Sequence, residues 1–223
     1  MALLSVSLFA ADIMRLKEEI SCIPDSGADR LHIDIMDGHF VPLFGFNNIW
    51  IRSVLDEIKM PAEFHFMAYL TEDMLERFLL LKPKEAVIHL EAYGFDKNVR
   101  LLGMIRKAGI DCGMAISPDT SLGQLTPYLP YIDTVLVMSR KPGEESSIFT
   151  GSVYDRIRDI NKMICQEERR IKISVDGGLN AELAARSVGC GAGEVVIGRA
   201  FYKERNKRQI AEDIHKSEIG KEV

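Results

Sequence analysis

The stretch Leu31 to Pro42, LHIDIMDGHFVP, concentrates chemistry that a β-strand seldom carries. Side chains alternate along a strand, so His32, Asp34 and Met36 share one face while Leu31, Ile33 and Ile35 take the other. Burying an imidazole and a carboxylate without partners is costly, and one metal ion satisfies both. A second segment, AEFHFMA, repeats the pattern, with His65 and Met67 opposite Phe64 and Phe66. A third, IKISVDGG, ends in Asp176 just before Gly177 and Gly178. Two His and two Asp form an N and O donor set suited to one divalent ion, whether zinc, iron, manganese or cobalt. Such an ion, chelating a ketone oxygen and the neighbouring hydroxyl, stabilises an enediolate. Carboxylates on opposite sides can then remove a proton and return it, which inverts a stereocentre.

Taken singly, each of these residues has an ordinary structural explanation. A strand histidine is commonly hydrogen-bonded in a core, and a strand-end aspartate commonly caps a helix or shapes a turn. Four of them at the same end of their strands would each need a separate satisfying partner, which favours a common site. Met36, Met67 and Met138 fit either core filling or a pocket wall.

The elements that must position these groups follow from periodicity. Strands are predicted over Leu3 to Phe9, Arg30 to Asp37, Ala62 to Ala68, Ala86 to Glu91, Asp111 to Ser117, Thr134 to Ser139, Ile171 to Asp176 and Glu194 to Gly198. Helical windows fall near 11–22, 48–58, 71–81, 96–108, 121–128, 152–166, 180–188 and 206–217. Strand-then-helix units with no long linker predict an α/β fold, a single (β/α)8 TIM barrel over 1–223, whose site lies at the C-terminal ends of the strands. The polar residues sit at that end, with Ser5 and Ser7 offered by the first strand. His89 and Glu91 share a face of the fourth strand and are read as supporting groups, because the donor set is already complete. His39 is expected to order its loop and His215 to face solvent from the last helix.

Composition narrows the partners. A formal net charge of −5 argues against nonspecific nucleic-acid binding. No apolar run approaches the roughly 20 residues of a membrane span. The start, MALLSVSLFAAD, lacks an early Lys or Arg and does not read as a signal peptide. Cys22, Cys112, Cys165 and Cys190 are widely spaced, as expected of reduced thiols in a cytoplasmic protein.

Taken together, LHIDIMDGHFVP, FHFM and ISVDGG resemble the ribulose-phosphate 3-epimerase family, including its hexulose-phosphate branch, from about Ser5 to Phe201. The resemblance implies a metal-dependent barrel of the ribulose-phosphate-binding type that interconverts ketose phosphates epimeric at C3. It implies His32, Asp34, His65 and Asp176 as ligands of one divalent ion, Asp34 and Asp176 as the acid/base pair, and Ser7 as a substrate contact. Met36, Met67 and Met138 would lie over the reacting centre. It also implies a homo-oligomer, dimer or hexamer. An Asp-x-Lys-x-x-Asp arrangement, expected of the related barrel decarboxylases, is absent.

The departures cluster where phosphate should bind. Val6 stands where the family has proline, and Leu43 where it usually has Asn. The family's glycine-rich loop after the sixth strand becomes Pro142-Gly143-Glu144-Glu145-Ser146-Ser147, which adds negative charge beside an anion site. Gly143, Ser146 and Ser147 could still serve the phosphate. Arg140, Lys141 and Arg199 could compensate, with Gly177, Gly178 and Gly198 completing a cradle. The alternatives are a non-phosphorylated or differently charged sugar, or a sugar-phosphate-binding homologue without turnover.

Overall fold

Eight parallel strands close on themselves in sequence order, each pairing with its neighbours and the last with the first. They are β1 (Leu3–Ser7), β2 (Arg30–Met36), β3 (Ala62–Met67), β4 (Glu85–His89), β5 (Asp111–Ile116), β6 (Thr134–Met138), β7 (Lys172–Asp176) and β8 (Glu194–Ile197). The computed structural model describes residues 1–144, 149–165, 167 and 169–220. Around the barrel lie α1 (Leu16–Ser21), α2 (Asn48–Glu57), α3 (Glu72–Leu79), α4 (Phe95–Lys107), α5 (Val153–Ile164), α6 (Ala181–Gly189), α7 (Arg199–Lys203) and α8 (Lys207–Lys216). This is the (β/α)8 barrel that the alternating pattern predicts.

Local chemistry explains where the helices begin. The side chains of Asn47, Thr71 and Asn180 accept from Trp50, Met74 and Leu183 backbone N–H groups at the starts of α2, α3 and α6. Two segments differ from expectation. The 121–128 window forms 3-10 turns, Leu122–Gln124 and Thr126–Tyr131, because Pro127 and Pro130 each remove an N–H that an α-helix would use. Residues 199–203, outside every helical window, form the short α7. Several strands also end a residue or two early. Leu8–Ala10 and Leu90–Ala92 are 3-10 turns, so Glu91 leaves the fourth strand and joins the loop beyond it.

Burial follows the two-residue period. Leu31, Ile33, Ile35, Phe64 and Phe66 point outward into the main apolar core beneath the helices. Each large side chain wholly removed from water there contributes about 1.5–3 kcal/mol. A separate apolar layer, Val87, Ala115, Leu136 and Met138, fills the barrel interior. The opposite face of β2 and β3 is left to the polar residues.

Candidate active site

The register of β2 against β3 sets the site. His32 lies opposite Glu63, Asp34 opposite His65 and Met36 opposite Met67. Nε2 of His32 and Nδ1 of His65 lie 3.3 Å apart, and each is 3.2 Å from Asp34 Oδ1. Asp176, at the end of β7, brings Oδ2 to 3.8 Å from both imidazole nitrogens. Donors bonded at about 2.0–2.2 Å to one tetrahedral ion stand about 3.3–3.6 Å apart. The four side chains therefore fit a divalent ion with little adjustment, and all four donor atoms lie within 4.8 Å of one another.

Three of the four donors are held from behind. Ser7 Oγ donates to Asp34 Oδ2 at 3.0 Å. Glu63, fully buried, faces His32 Nδ1 at 2.9 Å, close enough for charge attraction though out of line for a hydrogen bond. His89 Nε2 lies 2.9 Å from His65 Nε2, and its Nδ1 is 3.1 Å from Glu91 Oε2. The supporting role expected of His89 and Glu91 matches this arrangement, although Glu91 reaches in from a turn and not along the strand.

Among the protein's own groups, burial disfavours charge on both imidazoles. For His32 the carboxylates of Asp34 and Glu63 outweigh burial and raise it well above its ordinary range. His65 is held below its ordinary range by burial and by its neighbours His89 and His32. Burial also works against the Asp34 carboxylate, but the two histidines lower it. Asp176 is pushed up by burial and by Asp34.

Above these groups opens a cleft of about 500 Å³. Asp34, Asp176, Ser7, Met36, Met67 and Met138 form its floor and near wall. The methionines thus do both things the sequence allows: they are buried, and they line the cleft. The far wall carries Gly143, Gly178, Gly198 and Leu43 with the cationic side chains Arg140, Lys141, Arg199 and Lys203. Gly177 does not join that wall among the described residues. It packs behind it, where a Cβ would meet Ser139 Oγ at 2.7 Å. Glu144 lines the cleft but pairs with Lys141 at 3.7 Å. Ser146 and Ser147, expected to contact phosphate, lie outside the described residues, as does Glu145.

Other residues depart from expectation. His215 is half-buried, not solvent-facing, and lies 2.9 Å from Asp29 Oδ2, which also accepts from the Leu4 N–H. His39 behaves as expected: its N–H donates to Asp37 Oδ1 within the loop. Sequence reasoning missed Glu63 and the barrel floor below it. There Arg30 Nη1 and Lys172 Nζ each lie 2.7 Å from Glu85 Oε2, both also reach Glu194, and Ser5 Oγ donates to Glu194 Oε1 at 2.5 Å. The signal for Glu63 was present, since it shares the face of β3 that carries His65 and Met67.

Comparison with known proteins shows the family. The sequence model of the ribulose-phosphate 3 epimerase family matches residues 3–202. Ribulose-phosphate 3-epimerase of Chlamydia trachomatis is 30% identical over 215 residues, covering 95% of this chain and 91% of that protein. The protein of the same name from Mycobacterium leprae is 32% identical over 200 residues, covering 90% of this chain and 88% of that one. Among solved structures, 3-keto-L-gulonate-6-phosphate decarboxylase from Vibrio cholerae superposes with a TM-score of 0.70 over 97% of this chain and 96% of that chain. At 10% identity this likeness concerns the fold alone. No helix among the described residues is long and apolar enough to cross a membrane. The chain belongs to the ribulose-phosphate 3 epimerase family and is an isomerase of the carbohydrate epimerase class.

Proposed function

We propose that the protein epimerises a ketose phosphate at C3, with a pentulose phosphate such as ribulose 5-phosphate as substrate, by proton transfer between Asp34 and Asp176. The observation that carries the reading is the pair of carboxylates, supplied by strands β2 and β7, that converge on one cleft beside two imidazole nitrogens. One carboxylate removes the C3 proton, leaving an enediolate. The other delivers a proton to the opposite face, and the roles exchange in the reverse direction.

His32, His65, Asp34 and Asp176 would hold one divalent ion, which when bound polarises the ketone and its neighbouring hydroxyl and offsets charge as the proton leaves. The remaining work belongs to the chain. Ser7 fixes Asp34 through Oδ2. Met36, Met67 and Met138 form an apolar wall that limits water near the reacting carbon. Arg140 and Arg199, with Gly178 and Gly198 allowing close approach, would take the phosphate. These cations, and the ion pair that occupies Glu144, support a phosphorylated substrate over an uncharged sugar. The cleft has room for a pentulose or a hexulose.

Incubating the enzyme with ribulose 5-phosphate in deuterated water tests the reading. Deuterium should enter C3 in both the substrate and the product pool. No exchange with any pentulose or hexulose phosphate would sink it.

A further inference from the structure

One chain of contacts leads from the donor set to the barrel rim without touching the cleft. His65 turns Nδ1 toward the donor set, and its Nε2 meets Nε2 of His89 at 2.9 Å. The two rings are inclined by 25° with centroids 5.0 Å apart, so two neutral rings make one hydrogen bond through these nitrogens. His89 directs Nδ1 to Glu91 Oε2 at 3.1 Å. Glu91 Oε1 accepts from the Ser117 N–H at 2.7 Å and from the Thr120 hydroxyl. Both histidines are fully buried, and the Phe40 ring covers His89 at 4.8 Å, so water does not compete for the contact between the two imidazoles, while Glu91 stands at the exposed end.

With both imidazoles neutral, the chain has one self-consistent proton order, set from its far end. An ionised carboxylate only accepts, so His89 carries its proton on Nδ1 and offers Nε2 as an acceptor. His65 must then carry its own proton on Nε2. That leaves the lone pair of His65 Nδ1 facing Asp34, Asp176 and His32, as a ligand requires.

We propose that Glu91, acting through His89, is a positioning residue that sets His65 as an Nδ1 donor to the metal ion. The inference rests on the metal reading above. His32 differs in having its carboxylate, Glu63, beside it directly. The relay thus gives His65 the same kind of support at one remove, from the turn after β4, which Ser117 and Thr120 tie to the segment after β5.

The test compares wild type, Glu91→Gln and Thr120→Val. Chelator-stripped protein is titrated with Zn²⁺ against a chromophoric chelator, and His65 nitrogen shifts are read by NMR in the metal-free protein. In Glu91→Gln the Zn²⁺ dissociation constant should rise about 10–100-fold, the range found when outer carboxylates of metal-bound histidines are removed. Its His65 should pass from the Nε2–H form to a mixture of tautomers. Thr120→Val removes one hydrogen bond to Glu91 but keeps the carboxylate on His89, so it should lower Tm while moving the dissociation constant by less than about threefold. If Glu91→Gln does not fold, Glu91→Asp serves in its place and should weaken binding in the same direction. Unchanged affinity and tautomer in the Glu91 variant, or equal weakening by Thr120→Val, would overturn the proposal while leaving the metal reading intact. Wild-type protein that binds no Zn²⁺ overturns the metal reading itself, and the proposal with it.

Discussion

Replacing Gly45 with alanine tests how the loop after β2 holds the strand that carries Asp34. The chain turns back on itself there: the Gly45 N–H donates to Met36 O at 3.1 Å and the Phe46 N–H to Asp34 O at 3.3 Å. A Cβ on Gly45 would stand 2.5 Å from Asp34 O and 2.6 Å from Met36 N, both backbone atoms that cannot rotate away. The loop must therefore lift by about half an ångström or more, which breaks or lengthens both hydrogen bonds. Two such bonds contribute about 1 kcal/mol each, and the overlap costs about 1–3 kcal/mol. The reduced freedom of the unfolded alanine chain returns about 0.4–1 kcal/mol. The net loss is about 2–5 kcal/mol, or a fall in Tm of about 4–20 °C for a chain of this length. Because the displaced atoms belong to Asp34 and Met36, C3 exchange should also fall, by as much as about a hundredfold. Gly103→Ala is the control. It lies in α4 with no atom within 4 Å of the added carbon, and should gain about 0.5–1 kcal/mol. A Gly45→Ala protein with a Tm within about 2 °C of wild type and undiminished exchange would refute the reasoning.

Asp176→Asn should abolish C3 exchange while far-UV circular dichroism stays unchanged; exchange at the wild-type rate would show that the proton-transfer role is misassigned. Arg199→Ala should raise KM for a phosphorylated ketose more than for its unphosphorylated analogue, and equal effects would remove Arg199 from the phosphate site. Burial works against the Glu91 carboxylate, yet His89, Thr120 and Ser117 hold it at about 2, below its ordinary 4.5. A depressed carboxylate stabilises the fold in full above its unfolded value, and that stability is lost as pH falls toward the folded one. Wild type should therefore lose about 2 kcal/mol relative to Glu91→Gln between about pH 5.5 and pH 3. Urea denaturation at the two pH values checks this, and a constant difference between the proteins would contradict it.

The alternation in LHIDIM and AEFHFM was enough to identify the inward set, because a closed barrel gives a strand only two faces. The same rule reached Glu63 in principle. What makes it consequential is its placement across from His32, a relation between strands that neither segment contains alone. Glu91 was assigned to the right partnership but the wrong element, since a 3-10 turn continues the chain past β4 in a direction that period-two reasoning does not anticipate. Pro127 and Pro130 turned an apparently amphipathic window into 3-10 turns, and the missing N–H groups could have flagged it. His215 read as a surface residue because its partner, Asp29, is far away in sequence.

The floor beneath the site has a consequence for supply. Asp34, Asp176, Glu63, Glu85 and Glu194 share the barrel interior, with Arg30 and Lys172 as the cationic side chains among them. Carboxyl groups thus outnumber the basic groups there even with His32 counted, and a divalent cation seated among the upper donors would offset them from above as Arg30 and Lys172 do from below. Any ligand that binds only the folded chain adds to its stability, by about 2.7 kcal/mol at a hundred times its dissociation constant. With the ion of the proposed reading, the amount of folded enzyme would follow the free metal concentration around it, so that starvation for the ion would thin the enzyme population as well as silence its members.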